Sequence, residues 1–377
     1  MDMKSEIKRL ARLEESSHPF CSLYLDTKWD DEQQRERIRL FTKNQFKKAL
    51  DGFKDQDAWK KSFAEDQQQI ERFVEKLVRR VYDGEGNGIA MFSCSGSGTF
   101  LTYPSMIPFE NQFYVSDHPT LQPLVRLSSQ YQNTLAVMVE TDSAKLFEIS
   151  LEGVTGESSI ESYVPGRHDQ GGWAQMRYQR HIQDHRDRHH KEVAEQLTGL
   201  FDSGGWKNVV LIGQDRIVSN FKNFLPERIK QHIVDVFPMD FSEERSKVIL
   251  RVLERLLHKE KEEVDRQIQS IAEKALKAGM ATLGLNDTLE ALRRGQVHTL
   301  YLLEKAARSG GKCIPCRAYV PVPSAPCPLC KGETKTINLE EELIRLALCQ
   351  DGEIRLVEDN PILKENQGVG ASLRYHT

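Results

Sequence analysis

The sequence predicts an α/β protein whose first third has an α+β texture. Two patterns carry that prediction. From residue 133 onward, buried-type strand runs such as NVVLIG (208–213) and VHTLYLLE (297–304) alternate with helical stretches. Before that point, one long helical stretch is flanked by short β-type runs. Composition agrees: 39% apolar and 29% charged residues suit folded, water-soluble domains rather than disorder. A chain of 377 residues has room for two or three domains of about 100–150 residues each.

In the first third, residues 57–83 place Ile70, Phe73, Val74, Leu77 and Val81 at helical spacing, which makes one face for a core. PFCSLYLD precedes this helix; GIAMFSC and GTFLTYP follow it. The polar run SSQYQN then closes an N-terminal domain, 1–131, with no recognisable chemistry of its own. TLAVMVETD, AKLFEISLEG and ESSIESYV read as consecutive strands, followed by a polar loop, a helix through residue 201, and the strand NVVLIG. A long charged helix from about 242 to 278 completes a middle domain, 132–279, and GMATLGLND marks its end. In the last domain, 280–377, DTLEALRRG reads as a helix with Asp287 as N-cap and Gly295 as stop. EEELIRLALCQ is a further helix, and EIRLVED and ASLRY are strands.

Lys+Arg number 52 against 56 Asp+Glu, a net charge of −4, which argues against a protein that coats nucleic acid broadly. No apolar run approaches the roughly 18–20 residues of a membrane span. The start, MDMKSEIKRLARLEESSH, lacks the apolar core of a secretion signal, so a cytoplasmic location is expected.

Four of the seven cysteines form two tight pairs, Cys313/Cys316 and Cys327/Cys330, separated by ten residues within a Pro-rich insertion, 311–332. Two CxxC knuckles offer four thiolates for a closed, tetrahedral structural zinc site. A thiol–disulfide pair is the competing reading, but it needs only one CxxC at a helix start, and the prolines here oppose a helix. Cys21, Cys94 and Cys349 lie in apolar surroundings and read as core residues.

Residues 165–191 hold five of the eleven histidines and six cations against three acids, so a +3 element sits in an acidic chain. Such local charge suits phosphate contact, with Arg167, Arg177 and Arg180 as cations and Trp173 and Tyr178 as stacking residues. Gly171 and Gly172 let the backbone pass close to another surface. Two other readings stay open: a metal stripe of His181, His185 and His189 at helical spacing, or a merely solvated helix face.

These residues suggest a family. DTLEALRRGQVHTLYLLE, the CIPC/CPLC insertion and GVGASLRY resemble the last domain of the archaeal and eukaryotic class-1 peptide chain release factors and of Pelota. The middle domain is similar to the family's RNase-H-like domain, whose loop carries Gly-Gly-Gln; here the loop reads Gly171-Gly172-Trp173-Ala174-Gln175. That spelling looks like the Gly-x-x-Gln variant of the bacterial branch and of ribosome-quality-control factors. The resemblance implies three domains, the last L7Ae-like with a zinc insertion, and a peptidyl-tRNA hydrolase working in the ribosomal peptidyl-transferase centre. Gln175 would position the water, with Gly171 and Gly172 beside it, and the arginines would meet rRNA. No Asn-Ile-Lys-Ser or Tyr-x-Cys-x-x-x-Phe pattern occurs in 1–131, so stop-codon reading is not expected. The implied partners are the ribosome with its peptidyl-tRNA and a translational GTPase, the protein being a monomer off the ribosome. Two further readings use the same features: a non-catalytic A-site binder of the Pelota or hibernation kind, and an adaptor docking a GTPase.

Overall fold

The computed structural model describes residues 3–29, 32–52, 57–79, 86–162, 173–277, 279–304, 308–322 and 326–375. The chain is α/β; its described residues form four sheets, and it divides into two compact units: 1–130 together with 261–377, and 131–260.

The first unit begins with α1 (Met3–Ala11), β1 (Phe20–Asp26), α2 (Glu32–Asp51) and α3 (Asp57–Val78). It continues through β2 (Gly88–Cys94), β3 (Thr99–Ser105), β4 (Gln112–Ser116) and α4 (Gln122–Gln130). The strands form an antiparallel sheet in the order β3-β2-β1-β4. Alternation along β1 sends Leu23 and Leu25 into a core with Ile38 and Phe46 of α2 and Phe63, Ile70 and Val74 of α3. Tyr24 points to the other face, its hydroxyl donating to the Thr120 carbonyl (2.5 Å). The single helix expected in this region is therefore joined by α1, α2 and α4. The pattern of α2 is blurred because Leu40 and Leu50 are exposed while Thr42 is buried, so no clean apolar face shows in the sequence.

The second unit contains β5 (Thr134–Val139), β6 (Ser143–Ser150), β7 (Gly153–Glu161), α5 (Trp173–Asp202) and β8 (Asn208–Ile212). α6 (Asp215–Lys222), α7 (Glu227–Lys230), β9 (Ile233–Phe237) and the first part of α8 (Arg245–Lys277) follow. The sheet order is β7-β6-β5-β8-β9; β7, β6 and β5 pair antiparallel, whereas β8 and β9 run parallel to β5. This is the RNase-H-like arrangement. β8 is buried along nearly its whole length, as a continuous apolar run in a parallel strand requires. Val193, Ala194 and Leu197 of α5 pack with Leu135, Val137 and Leu211 of the sheet.

The remainder of the first unit has α9 (Leu285–Arg293), α10 (Leu339–Cys349) and α11 (Pro361–Glu365) around two sheets. β10 (Ala281–Leu283), β11 (Val297–Leu303), β15 (Glu353–Val357) and β16 (Val369–Leu373) form a sheet in the order β10-β16-β11-β15, with β11 and β15 parallel. Val264, Ile268 and Ile271 of α8 pack against it with Tyr301 and Leu363. β12 (Ser309–Cys313), β13 (Tyr319–Val320) and β14 (Thr334–Asn338) form the small sheet of the cysteine insertion, in the order β13-β12-β14.

The expectation for Asp287 needs correction. The N-cap of α9 is Gly284, at φ +90°, and the Gln367 side chain accepts from the Leu285 N–H (3.0 Å). A distant side chain thus does the capping, and Asp287 sits inside the first turn. Gly295, at φ +70°, does end the helix: its N–H donates to the Leu292 carbonyl (3.1 Å) and the Gln296 N–H to that of Ala291 (3.0 Å).

Candidate functional site

Of the predicted loop residues, Arg167, Gly171 and Gly172 lie outside the described residues, as does His168. The backbone of Trp173, Gln175, Arg177 and Tyr178 belongs to α5, but their side chains also lie outside the described part. The helix begins at Trp173, so the backbone of Gln175 is in its first turn. Arg180 is exposed. Ile182 is the first buried side chain among those described on α5. Gln175 lies seven residues before it, roughly 10 Å along the helix axis.

The histidines divide. His189 is buried, and its Nδ1 lies 2.9 Å from the Ser162 hydroxyl, which ties α5 to the segment just past β7. His190 is buried between the rings of Phe221 and Phe224, each centroid 5.8 Å away. Burial lowers the pKa of both, so they are neutral core residues. His181 is exposed, with its Nε2 3.4 Å from that of His185. A His181/His185/His189 metal stripe is therefore broken by the burial of its third member, and no histidine belongs to a metal-sized cluster among the described residues. The described stretch 180–191 keeps four cations (Arg180, Arg186, Arg188, Lys191) against two acids (Asp184, Asp187).

The four cysteines converge. Their sulfurs all lie within 4.8 Å of one another, with Cys313–Cys330 at 3.3 Å and Cys316–Cys327 at 3.8 Å. Tetrahedral zinc with Zn–S bonds of about 2.3 Å needs sulfurs about 3.8 Å apart, so this set fits such an ion. Each knuckle is built the same way. The N–H of Arg317 donates to the Cys313 carbonyl (2.9 Å) and that of Lys331 to the Cys327 carbonyl (2.8 Å). The N–H of Cys313 donates to Ala318 (2.9 Å) and that of Cys327 to Gly332 (2.7 Å). Arg317 and Lys331 take left-handed φ values of +57° and +62°, an uncommon conformation for side chains of this kind, at matching positions.

Sequence reasoning missed a buried polar cluster at the start of α10. Glu340, Glu341 and Glu342 are each at most 4% exposed. The Glu342 carboxylate lies 2.6 Å from His118 Nε2 and accepts from the Tyr319 hydroxyl (2.6 Å). Burial works to raise its pKa, but the His118 hydrogen bond and charge outweigh this and hold it at about 2. Glu341 accepts from the N–H groups of Leu121 (2.5 Å) and Gln122 (3.2 Å) at the start of α4, and burial pushes it up to about 7. Gln122 also donates to Glu340 (2.8 Å). In sequence, three glutamates at a helix start read as solvated first-turn acids; His118, Leu121 and Gln122, which bury them, are more than 200 residues away.

The chain is similar to proteins of the archaeo-eukaryotic release factor class. Within that class, residues 119–257 match the model of bacterial archaeo-eukaryotic release factor family 10. Peptide chain release factor subunit 1 of Aeropyrum pernix is 25% identical over 264 residues, 62% of this chain and 67% of that protein. Eukaryotic peptide chain release factor subunit 1 of Loxodes striatus is 27% identical over 52% of this chain, which spans only 45% of that longer relative. Among solved structures, a translation termination-like factor of S. cerevisiae covers 77% of this chain and 79% of its own length, at 12% identity and a TM-score of 0.42.

Proposed function

We propose that the protein is a codon-independent peptidyl-tRNA hydrolase of the release-factor type that rescues stalled ribosomes. The observation that carries this reading is Gly171-Gly172-Trp173-Ala174-Gln175 at the head of the 30-residue helix α5, inside the segment that matches the release factor family. The first N–H groups of a helix have no intrahelical acceptor, so they are available to a developing oxyanion. The Gln175 amide cannot titrate; it would hold a water by hydrogen bonds, in line for the ester between peptide and tRNA. Attack leaves a peptide carboxylate and a free tRNA hydroxyl. Arg167, Arg177 and Arg180 would neutralise rRNA phosphates, and Trp173 and Tyr178 would stack on bases.

In this reading Cys313, Cys316, Cys327 and Cys330 hold a structural Zn2+, whose closed thiolate shell leaves no position for catalysis. The protein would act in the cytoplasm, as a monomer when off the ribosome, and its C-terminal part would dock a translational GTPase. The test is peptide release from ribosomes carrying peptidyl-tRNA but no stop codon. Wild type should release peptide, and Gln175→Ala should bind ribosomes without release. Equal release by the variant refutes the role of Gln175.

A second reading, a non-catalytic ribosome A-site binder, is favoured by one observation: the backbone of Gln175 is helical. It expects ribosome co-sedimentation with no release by wild type.

A further inference from the structure

The N-terminal part of the first unit carries a charged feature that this functional reading does not use. An open groove of about 550 Å³ lies between α2 and α3. Its lining includes five cations, Arg39 and Lys43 from α2 and Arg72, Lys76 and Arg79 from α3, against two carboxylates, Glu71 and Glu75. Positions 39 and 43 are one turn apart on α2, and 72, 76 and 79 follow one face of α3, so two basic stripes line the groove.

The cations have two different roles. Glu75 accepts from Arg39 Nε (2.7 Å) and Nη2 (3.1 Å) and lies 3.4 Å from Arg79 Nε, which fixes both guanidinium groups. Lys43, Arg72 and Lys76 are exposed and make no ion pair among the described residues. Among the described residues these three charges form no ion pair, and only the Glu71 carboxylate of the lining is left to offset them.

We infer that this groove binds the phosphate backbone of a helical RNA. From residue 72 to 79 the basic stripe runs about 10 Å, which matches the rise along the duplex axis of roughly three phosphates of one strand, at the ~3.4 Å per phosphate of a DNA duplex. Among the described residues no aromatic side chain lines the groove, which favours a paired RNA backbone over splayed single-stranded bases. Among the described residues Val74 is its one apolar lining residue and is itself 2% exposed, so they offer a protein partner no apolar anchor. Contacts made only to phosphates carry no sequence preference. The inference goes beyond peptide release and does not rest on it, because the groove belongs to the first unit and the Gly-Gly-x-x-Gln helix to the second.

The test uses the full chain and a labelled RNA duplex of ~16 base pairs, with binding followed by fluorescence anisotropy from about 50 to about 200 mM salt. Replacing Lys43→Gln, Arg72→Gln and Lys76→Gln together removes about three phosphate contacts. The slope of log affinity on log salt should become shallower by ~2.7, which is a ~40-fold smaller loss of affinity over that range. A charge-matched variant elsewhere, Lys207→Gln with Lys222→Gln and Lys274→Gln, should keep the wild-type slope. Lys76→Gln alone, at an exposed helix position, should lower the slope by ~0.9 and serves if the triple variant misfolds. A groove variant with wild-type slope and affinity overturns the inference. So does displacement of the duplex by polyglutamate or by inorganic triphosphate as effectively as by unlabelled duplex at equal charge, since the groove would then take an acidic peptide or a free polyphosphate.

Discussion

The four-cysteine centre and the Gly-Gly-x-x-Gln helix are both conspicuous in the sequence, yet they differ in what completes them. The cysteine centre is closed by the chain itself: two knuckles with the same hydrogen-bond scheme bring four sulfurs within 4.8 Å. On α5 the first buried side chain among those described is Ile182, and the chemistry proposed for the helix start needs an RNA surface and a substrate outside the chain. A site made of local turns is specified by spacing alone. A site completed by a partner is specified by spacing plus something the chain does not contain.

The largest expected effect tests the closed site. Cys316→Ser, or chelation, should remove a stoichiometric metal and with it the order of β12, β13 and β14, read as faster hydrogen exchange in 309–338. Structural zinc in small modules contributes about 10–16 kcal/mol of apparent binding. Unchanged exchange on full metal removal would show that the sheet stands without the ion. Next comes the start of α5: Gln175→Ala should slow release on the order of 10²–10³-fold while ribosome binding holds. A matching loss of binding would make the residue a contact rather than a positioning group.

Glu342→Gln should destabilise the first unit by about 3–5 kcal/mol in denaturant titration, because it breaks a buried pair with His118. A change under about 1 kcal/mol would mean that the pair is solvated. The neighbouring carboxyl sets a pH dependence. Glu341 sits at about 7, above its ordinary value of 4.5, so the folded chain holds a proton that the unfolded chain has released. Its contribution is full below about pH 4.5 and is lost as pH rises through about 7. The melting midpoint should therefore fall between about pH 5 and about pH 8, and Glu341→Gln should flatten that fall. The smallest effect is at Asn338, the N-cap of α10, whose side chain accepts from Glu341 N–H (3.4 Å). Asn338→Ala should cost about 1 kcal/mol, measurable as a small shift in the denaturation midpoint.

What the sequence discloses follows from how far apart the interacting residues are. The runs Asn208–Ile212 and Val297–Leu303 are legible because a buried strand is a local apolar pattern. The CxxC pairs are legible because each knuckle closes within four residues. α2 is not legible: six cations and two exposed leucines obscure the buried Ile38 and Phe46. With α2 unread, a groove between α2 and α3 cannot be read either. Asp287 misleads because Gln367, 80 residues downstream, sits at the helix start instead. The glutamates 340–342 look ordinary until His118, Leu121 and Gln122 arrive from the far end of the unit.

That last arrangement bears on how the protein is made. His118 and Glu342 are 224 residues apart in the chain, and the first unit is divided between the two ends of the polypeptide. At roughly 5–20 residues per second of synthesis, the N-terminal residues wait about 10–45 s before their carboxylate partners are made. During that interval His118 lacks Glu342, and the Leu121 and Gln122 N–H groups at the start of α4 lack Glu341. The segment 131–260 has no such wait, because every strand of its sheet is made within one continuous stretch. The unit that carries the Gly-Gly-x-x-Gln helix is thus complete on the nascent chain before the unit that contains the N-terminus.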